Sequence, residues 1–189
     1  MSGIKSQDIV VLLKLVSLEQ ERLRLRDTGV EHREGPHTVR DLEMQLGISK
    51  SEVNSSIRRS LASGLALRDR VDRRPRANAR SLLDFISHGL KFVFPATPGA
   101  MTRGMATAFA APMLQGLLVS AGEYIYVWPS PDGEVVGQGV KPLFKSVPVA
   151  ARQDDRLYEY LALVDAVRLG GRRESDLAGE RLAAAILAP

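Results

Sequence analysis

The chain has 189 residues, enough for one full domain or two small ones. It contains no cysteine, which excludes disulfides and thiolate metal sites and favours a reducing, cytoplasmic setting. The net charge is only +4, yet the six arginines and two aspartates between Arg68 and Arg80 alone sum to +4. Charge concentrated in one short segment is typical of proteins that bind polyanions.

The chain begins with a predicted helix over residues 6–25, followed by a charged loop over residues 26–37. Residues 38–64 then predict two short helices joined by a tight turn, in which Gly47 provides a left-handed cap. Apolar residues of both helices converge on one small core: Leu42, Leu46, Ile48, Val53, Ile57 and Leu61. That packing leaves long or polar side chains outside: Lys50, Ser51, Glu52, Asn54, Ser55, Arg58 and Arg59.

The rest of the chain mixes helical and extended patterns, which predicts the α+β class. We expect, in order, a strand at 65–67, a basic loop, a helix at 78–88, a strand at 90–94, buried helices around Pro112 within 96–122, a hairpin at Asp132-Gly133, and two C-terminal helices at about 154–169 and 174–187.

The N-terminal elements resemble winged-helix transcriptional regulators, including the MarR-like group. The resemblance covers residues 4–80 and rests on Val39-x-x-Leu42, Leu46-Gly47-Ile48-Ser49, Val53, Ile57 and Leu61-x-x-Gly64-Leu65. It implies that the second helix of the pair lies in the major groove of double-stranded DNA, with bases faced by Ser51, Glu52, Asn54, Ser55 and Arg58. Phosphates would be held by Thr38, Arg40 and Lys50, and Arg59 belongs to the same predicted DNA-binding surface.

The chain departs from that family after the helix pair. A wing needs two strands, and residues 69–80 show no second apolar alternation. The wing is therefore either truncated or replaced by a basic loop that orders on DNA. In both cases the backbone contacts come from Arg70, Arg73, Arg74 and Arg76.

These patterns predict a winged-helix-like DNA-binding domain at residues 1–80 and a small α+β domain at residues 81–189. The second domain would contain the hairpin and the two C-terminal helices, and would serve dimerisation, sensing or partner binding. We expect a cytoplasmic transcriptional regulator that binds as a homodimer, with its two reading helices about one DNA turn, ~34 Å, apart. The alternative is an antitoxin or regulatory subunit whose second domain docks another protein.

Other chemistry has weak support in the sequence. His32 and His37 lie beside Glu31 and Glu34 but in a predicted loop without the rigid frame that a metal needs. Residues 99–104 have the glycines of a phosphate loop without the Lys-Ser/Thr that should follow, so Thr102 and Arg103 either hold an anion or form a turn. Residues 104–122 lack charge but are too polar for a membrane span. We therefore predict no enzyme, no catalytic residue, no cofactor, no metal site and no membrane contact.

Two features of the second domain have both a structural and a functional interpretation. Tyr124, Tyr126 and Trp128 alternate along one strand, where aromatic residues form core or line a pocket. Arg168, Arg172 and Arg173 cluster near the junction of the last two helices, as a partner surface or as ordinary cations at a helix end.

Overall fold

The computed structural model describes residues 3–27, 38–116 and 124–187, and it confirms the α+β class. The helices are α1 (Ser6–Asp27), α2 (Val39–Leu46), α3 (Lys50–Ala62), α4 (Ala79–His88), α5 (Leu90–Val93), α6 (Val147–Gln153), α7 (Asp155–Leu169) and α8 (Arg172–Leu187). The strands are β1 (Ala66–Arg68), β2 (Pro75–Ala77), β3 (Met101–Thr107), β4 (Tyr126–Pro129) and β5 (Val135–Gly139).

Local signals fix the helix ends, which is why most predicted helices are confirmed. Asn78 accepts a hydrogen bond from the Ser81 N–H at the start of α4. Asp154 does the same for the Leu157 N–H at the start of α7, at 2.9 Å. Such caps satisfy N–H groups that have no partner inside the helix. The one added C-terminal helix, α6, precedes α7 directly.

Helix α7 is the centre of the fold. Every residue from Tyr160 to Val167 is buried, because α1, α6, α8 and the segment after β3 all pack around it. The sequence predicted a single inner face through Leu157, Leu161 and Val164. That face exists, but neighbours cover the other sides as well, so the helix lacks the polar side of a surface helix.

The second half contains a small closed barrel of three strands. Strand β3 pairs antiparallel with both β4 and β5, and Gly104 lies opposite both Pro129 and Val135. Strands β4 and β5 therefore run parallel to each other. The prediction of a hairpin at Asp132-Gly133 is wrong. A hairpin needs β4 and β5 to pair antiparallel with each other, whereas each of them pairs antiparallel with β3.

Glycines make this barrel possible. A Cβ atom at Gly133 would overlap the backbone of Gly104, and one at Gly137 would lie 2.5 Å from the carbonyl oxygen of Ile125. Close approach of two backbones needs residues without side chains. Gly133 thus allows the close contact with β3. The Asp-Gly pattern that suggested a two-residue hairpin loop reflects this packing requirement.

Two further predictions are corrected. Residues 90–93 form helix α5 instead of a strand, since Val93 N–H and Phe94 N–H donate to the carbonyls of Gly89 and Leu90. A run of five residues was too short to separate the two periodicities. Around Pro112, β3 and two 3₁₀ turns replace the predicted buried helices, and residues 117–122 of that segment lie outside the described residues.

One hydrophobic cluster spans both halves of the chain, because α1 packs on α3 and also on α7. At this junction the ammonium of Lys14 lies 2.8 Å from Asp154, and Ser17 donates to the same carboxylate at 2.7 Å. Burial opposes the ionised form of Asp154, but the hydrogen bonds from Lys14, Leu157 N–H and Ser17 outweigh it and lower the pKa of the carboxyl. The division of the chain at residue 80 stays a prediction.

No helix in the described ranges combines the length and the apolar character needed to cross a bilayer.

Candidate nucleic-acid interface

Helices α2 and α3 form a rigid unit because the start of α2 and the turn between the two helices are both fixed. Thr38 and Asp41 form a capping box, in which Thr38 N–H donates to the Asp41 carboxylate at 2.6 Å and Asp41 N–H donates to the Thr38 hydroxyl at 3.2 Å. At the other end Gly47 adopts φ +61° and Ile48 is buried between the helices. The Glu43 carboxylate then accepts from Lys50 N–H at 3.0 Å.

Helix α3 presents one exposed polar face. Ser51, Asn54, Ser55 and Arg58 recur at intervals of three and four residues, and we call these four residues the α3 face. The opposite side is buried by Val53, Ser56, Ile57 and Ser60. Arg58 forms no ion pair with any described residue, and its only side-chain hydrogen bond in that range is to the Ser55 hydroxyl, at 3.3 Å. The sequence prediction placed these four residues outside; Ser51, Asn54 and Arg58 are exposed, and Ser55 is half-buried.

Two residues predicted to contact DNA point elsewhere. The Arg59 guanidinium binds the buried Asp8 carboxylate of α1 with two hydrogen bonds, and its side chain is only 9% exposed. The bond to Asp8 raises the pKa of Arg59 further. Glu52 accepts a short hydrogen bond from Gln7 and lies 3.9 Å from Arg59. Both side chains lean towards α1, because Glu52 and Arg59 are about two helical turns apart and so lie on the same side of α3, about 100° away from Arg58.

A two-stranded antiparallel hairpin follows α3, and residues 66–77 are called the basic hairpin below. Its register pairs Ala66 with Ala77 and Arg68 with Pro75. A short second strand is therefore present, although residues 69–80 lack the apolar alternation that would have predicted it. Strand β2 reads Pro-Arg-Ala, which has neither β-branched residues nor alternation, so its strand character comes from pairing with β1 and from packing on α1.

The tip of the basic hairpin is an ordered turn. Asp69 accepts hydrogen bonds from Val71 N–H at 2.8 Å and from Asp72 N–H at 3.1 Å, and Asp72 accepts from Arg74 N–H at 3.0 Å. The first two bonds lower the pKa of Asp69. Arg73 adopts φ +61°, and Val71 at the tip is 93% exposed. The predicted loop is thus held by its own Asp side chains.

The arginines of the hairpin divide into two groups. Arg74 lies 3.4 Å from Asp72, and Arg76 lies 3.1 Å from Asp69 and 3.4 Å from Glu19 of α1. Arg68, Arg70 and Arg73 are exposed and form no ion pair with the residues that the structure describes. Of the four arginines predicted to contact the DNA backbone, Arg70 and Arg73 thus keep a charge that is unpaired among the described residues. Arg74 and Arg76 form ion pairs within the protein. Arg68, which was not among the four, is also unpaired in that range.

The three predicted phosphate contacts remain accessible. Thr38 and Arg40 are exposed in the first turn of α2, and Lys50 is exposed at the start of α3. Neither Arg40 nor Lys50 forms an ion pair within the described ranges. These side chains lie around the N-terminal ends of the two helices. The carboxylates of Asp41 and Glu43 already accept from the N–H groups of Thr38 and Lys50 there, and the Thr38 hydroxyl donates to Asp41 at 2.8 Å.

Other candidate sites lose support or lie outside the description. Residues 31, 32, 34 and 37, which carry the predicted histidine and glutamate pairs, are outside the described residues. The rest of the described chain holds no group of three or more potential metal ligands. Residues 101–104 are part of strand β3, and Arg103 donates to the Gly133 carbonyl at 3.2 Å, so the phosphate-loop pattern is structural.

A buried polar cluster around Asp165 was not predicted. Its carboxylate accepts from Trp128 Nε1 at 2.6 Å, from the Thr107 hydroxyl at 3.0 Å and from Arg168 at 2.6 Å. Burial raises the pKa of Asp165, while Arg168 and the two neutral donors oppose that shift. Residues 107, 128 and 165 are far apart in the sequence, so no local signal could reveal the cluster. Trp128 and Arg168 are therefore structural, and the partner-surface interpretation of Arg168 is wrong.

Comparison with known proteins identifies no relative, since no protein-family model, no curated protein and no solved structure matches the chain. The function has to be inferred from the geometry of the α3 face and the basic hairpin.

Proposed function

We propose that this protein is a sequence-specific, double-stranded DNA-binding transcriptional regulator of the winged-helix type, with α3 in the major groove. The observation that carries the proposal is the α3 face. Its hydroxyl, amide and guanidinium groups point away from the core of a rigid helix pair and have no strong intramolecular partner. Asn pairs with adenine and Arg with guanine through two hydrogen bonds each, so Asn54 and Arg58 can read base edges.

The basic hairpin supports the same docking. It follows the C-terminal end of α3 directly, so a helix lying in the groove brings the hairpin tip to the flanking backbone. Arg68, Arg70 and Arg73 would neutralise phosphates there, while Lys50 contacts a phosphate at the start of α3, and Thr38 and Arg40 contact phosphates at the start of α2. Arg59 and Glu52 are assigned to the orientation of α3, and Arg74 and Arg76 to the orientation of the hairpin.

Base reading is tested by fluorescence anisotropy with the DNA upstream of the protein's own gene and a scrambled duplex. Asn54→Ala and Arg58→Ala should each weaken binding to the specific duplex by about 1–3 kcal/mol and leave binding to the scrambled duplex nearly unchanged. Arg172→Ala, at an exposed position on α8, removes one charge elsewhere and serves as the matched control. Equal affinity of the unaltered protein for both duplexes would overturn the proposal.

Phosphate binding by the hairpin is tested by the salt dependence. Replacement of Arg68, Arg70 and Arg73 by Ala should weaken binding to every duplex and reduce the slope of log affinity against log salt by about 3. Neutralising Arg74 and Arg76 should have a smaller direct effect, because both already pair with carboxylates. We also propose that the protein acts as a homodimer in the cytoplasm, since paired half-sites need two reading helices.

A protein-docking function is the second candidate, and one observation favours it. Met101 and Val136 lie on the same side of the barrel, because Met101 pairs with Gln138 and Arg103 pairs with Val136. Each of the two residues is 53% exposed. Met101→Lys with Val136→Lys should abolish a protein contact here without loss of DNA binding, as measured by sedimentation of the purified protein with and without DNA.

A further inference from the structure

An open cleft of about 460 Å³ lies where the barrel meets the segment before α6. It is lined by Ala100, Thr102, Pro129, Gly139, Lys141, Pro142 and Lys145. The two lysines are the only charged residues in that lining, and neither forms an ion pair or hydrogen bond with a described residue. A cleft with two unneutralised ammonium groups and no carboxylate in its wall has the chemistry of a phosphate site.

The backbone that carries these lysines is fixed at several points. Val140 N–H donates to the Val127 carbonyl at 2.8 Å, and the Ser6 hydroxyl donates to the Leu143 carbonyl at 2.6 Å. The Ser146 hydroxyl donates a short hydrogen bond to the Leu46 carbonyl at the end of α2. Both lysines are therefore held on ordered backbone that is tied to the N-terminal half of the chain.

The last of these contacts places Lys145 beside the turn between α2 and α3. Ser146 packs so closely on this turn that a Cβ atom at Gly47 would lie 3.1 Å from Cβ of Ser146. Lys50, at the N-terminal end of α3, follows Gly47 by three residues. The basic hairpin begins after the opposite end of α3, so positive charge is present beyond both ends of the helix.

We propose that Lys141 and Lys145 bind backbone phosphates of the DNA next to the N-terminal end of α3. The C-terminal half of the chain then forms part of the DNA-binding surface and does not act only through dimerisation or sensing. This inference rests on the proposed function. It adds phosphate contacts on the side of α3 away from the hairpin, which increases the affinity for all sequences and extends the length of DNA covered.

The test compares two double variants in the full chain. Lys141→Ala with Lys145→Ala should weaken binding to specific and scrambled duplexes alike, about tenfold at about 50 mM salt, and lower the salt slope by about 2. Arg172→Ala with Arg173→Ala removes the same charge at the exposed start of α8. This control variant should bind both duplexes within twofold of the unaltered protein and should keep its salt slope. Thermal unfolding midpoints of both variants establish that the fold is intact.

The outcomes separate this inference from the proposed function. If the unaltered protein discriminates the two duplexes and the lysine variant binds as tightly as the arginine variant, the lysine contacts are wrong and the regulator proposal stands. If the unaltered protein binds neither duplex, both are wrong. Titration with pyrophosphate distinguishes a free ligand from DNA. If pyrophosphate binds tightly through the two lysines while the lysine variant keeps its DNA affinity, the cleft binds a free phosphate ligand. That result would overturn the proposed contact with the DNA backbone.

Discussion

Arg59 and Asp8 form a bidentate ion pair that fixes α3 against α1, the first helix of the protein. Arg59 Nε lies 2.8 Å from Oδ2 of Asp8, and Arg59 Nη2 lies 2.6 Å from Oδ1. Asp8 is completely buried, so its charge has no access to water. The orientation of α3, and with it the direction of the α3 face, depends on a charge pair that lies on the other side of the same helix.

Loss of the Arg59–Asp8 ion pair should destabilise the protein severely, whereas loss of the adjacent Arg58 side chain should not. Arg59→Ala leaves Asp8 buried without its partner, which should lower the free energy of unfolding by about 3–5 kcal/mol. Arg58→Ala removes an exposed side chain and should change it by less than about 0.5 kcal/mol. Urea unfolding of the two variants measures both values, and equal losses would contradict the assignment of Arg59 to the α1–α3 contact.

The pair between Lys14 and Asp154 should make stability depend on pH in the acid range. Because the pKa of Asp154 is lowered in the folded protein, the contribution is fully present above the unfolded value of about 3.9 and is lost as the pH falls through the folded pKa. Asp154→Asn should cost about 3 kcal/mol at neutral pH and flatten the acid limb of the stability profile. Asp155→Asn, at the exposed next position, should reproduce the original profile.

Two buried tyrosines should produce a separate loss of stability in alkali. Burial raises the pKa of Tyr158 and of Tyr160 to about 12. Their contribution is constant below about pH 10 and is lost between about pH 10 and 12, where only the unfolded chain ionises. Each Tyr→Phe change should remove part of this alkaline slope and part of the absorbance change at high pH. Tyr124→Phe, at an exposed position, is the matched control for the loss of one phenol hydroxyl.

Gly47 should tolerate alanine less well than Gly64, although both have positive φ. Alanine at either position meets backbone strain of about 1 kcal/mol. At Gly47 the new Cβ also lies 3.1 Å from Ser146, whereas at Gly64 nothing lies within 4 Å. Gly47→Ala should therefore lower the thermal midpoint more than Gly64→Ala. Identical midpoints would show that the 140–146 segment does not press on the turn between α2 and α3.

Much of the candidate interface could be predicted from the sequence, because its signals are local. The capping residues Thr38 and Asn78, the left-handed Gly47 and the four-residue spacing of Val53 and Ile57 act within one or two helical turns. Each of these features is complete in a short stretch of chain, so the helix pair and the exposed position of Asn54 and Arg58 follow without knowledge of the rest of the fold.

Only the tertiary structure decided which charged side chains are available and how the second half closes. Arg58 and Arg59 are adjacent and chemically identical, and only the position of Asp8, fifty-one residues away, separates their roles. Strand β2 has no strand pattern of its own and exists through pairing with β1. The barrel depends on contacts of Gly104 with Gly133, and the Lys141–Lys145 cleft depends on the segment before α6 lying against the barrel. Local patterns determine helices and their caps, while partners distant in sequence determine burial, pairing and the charge that remains exposed.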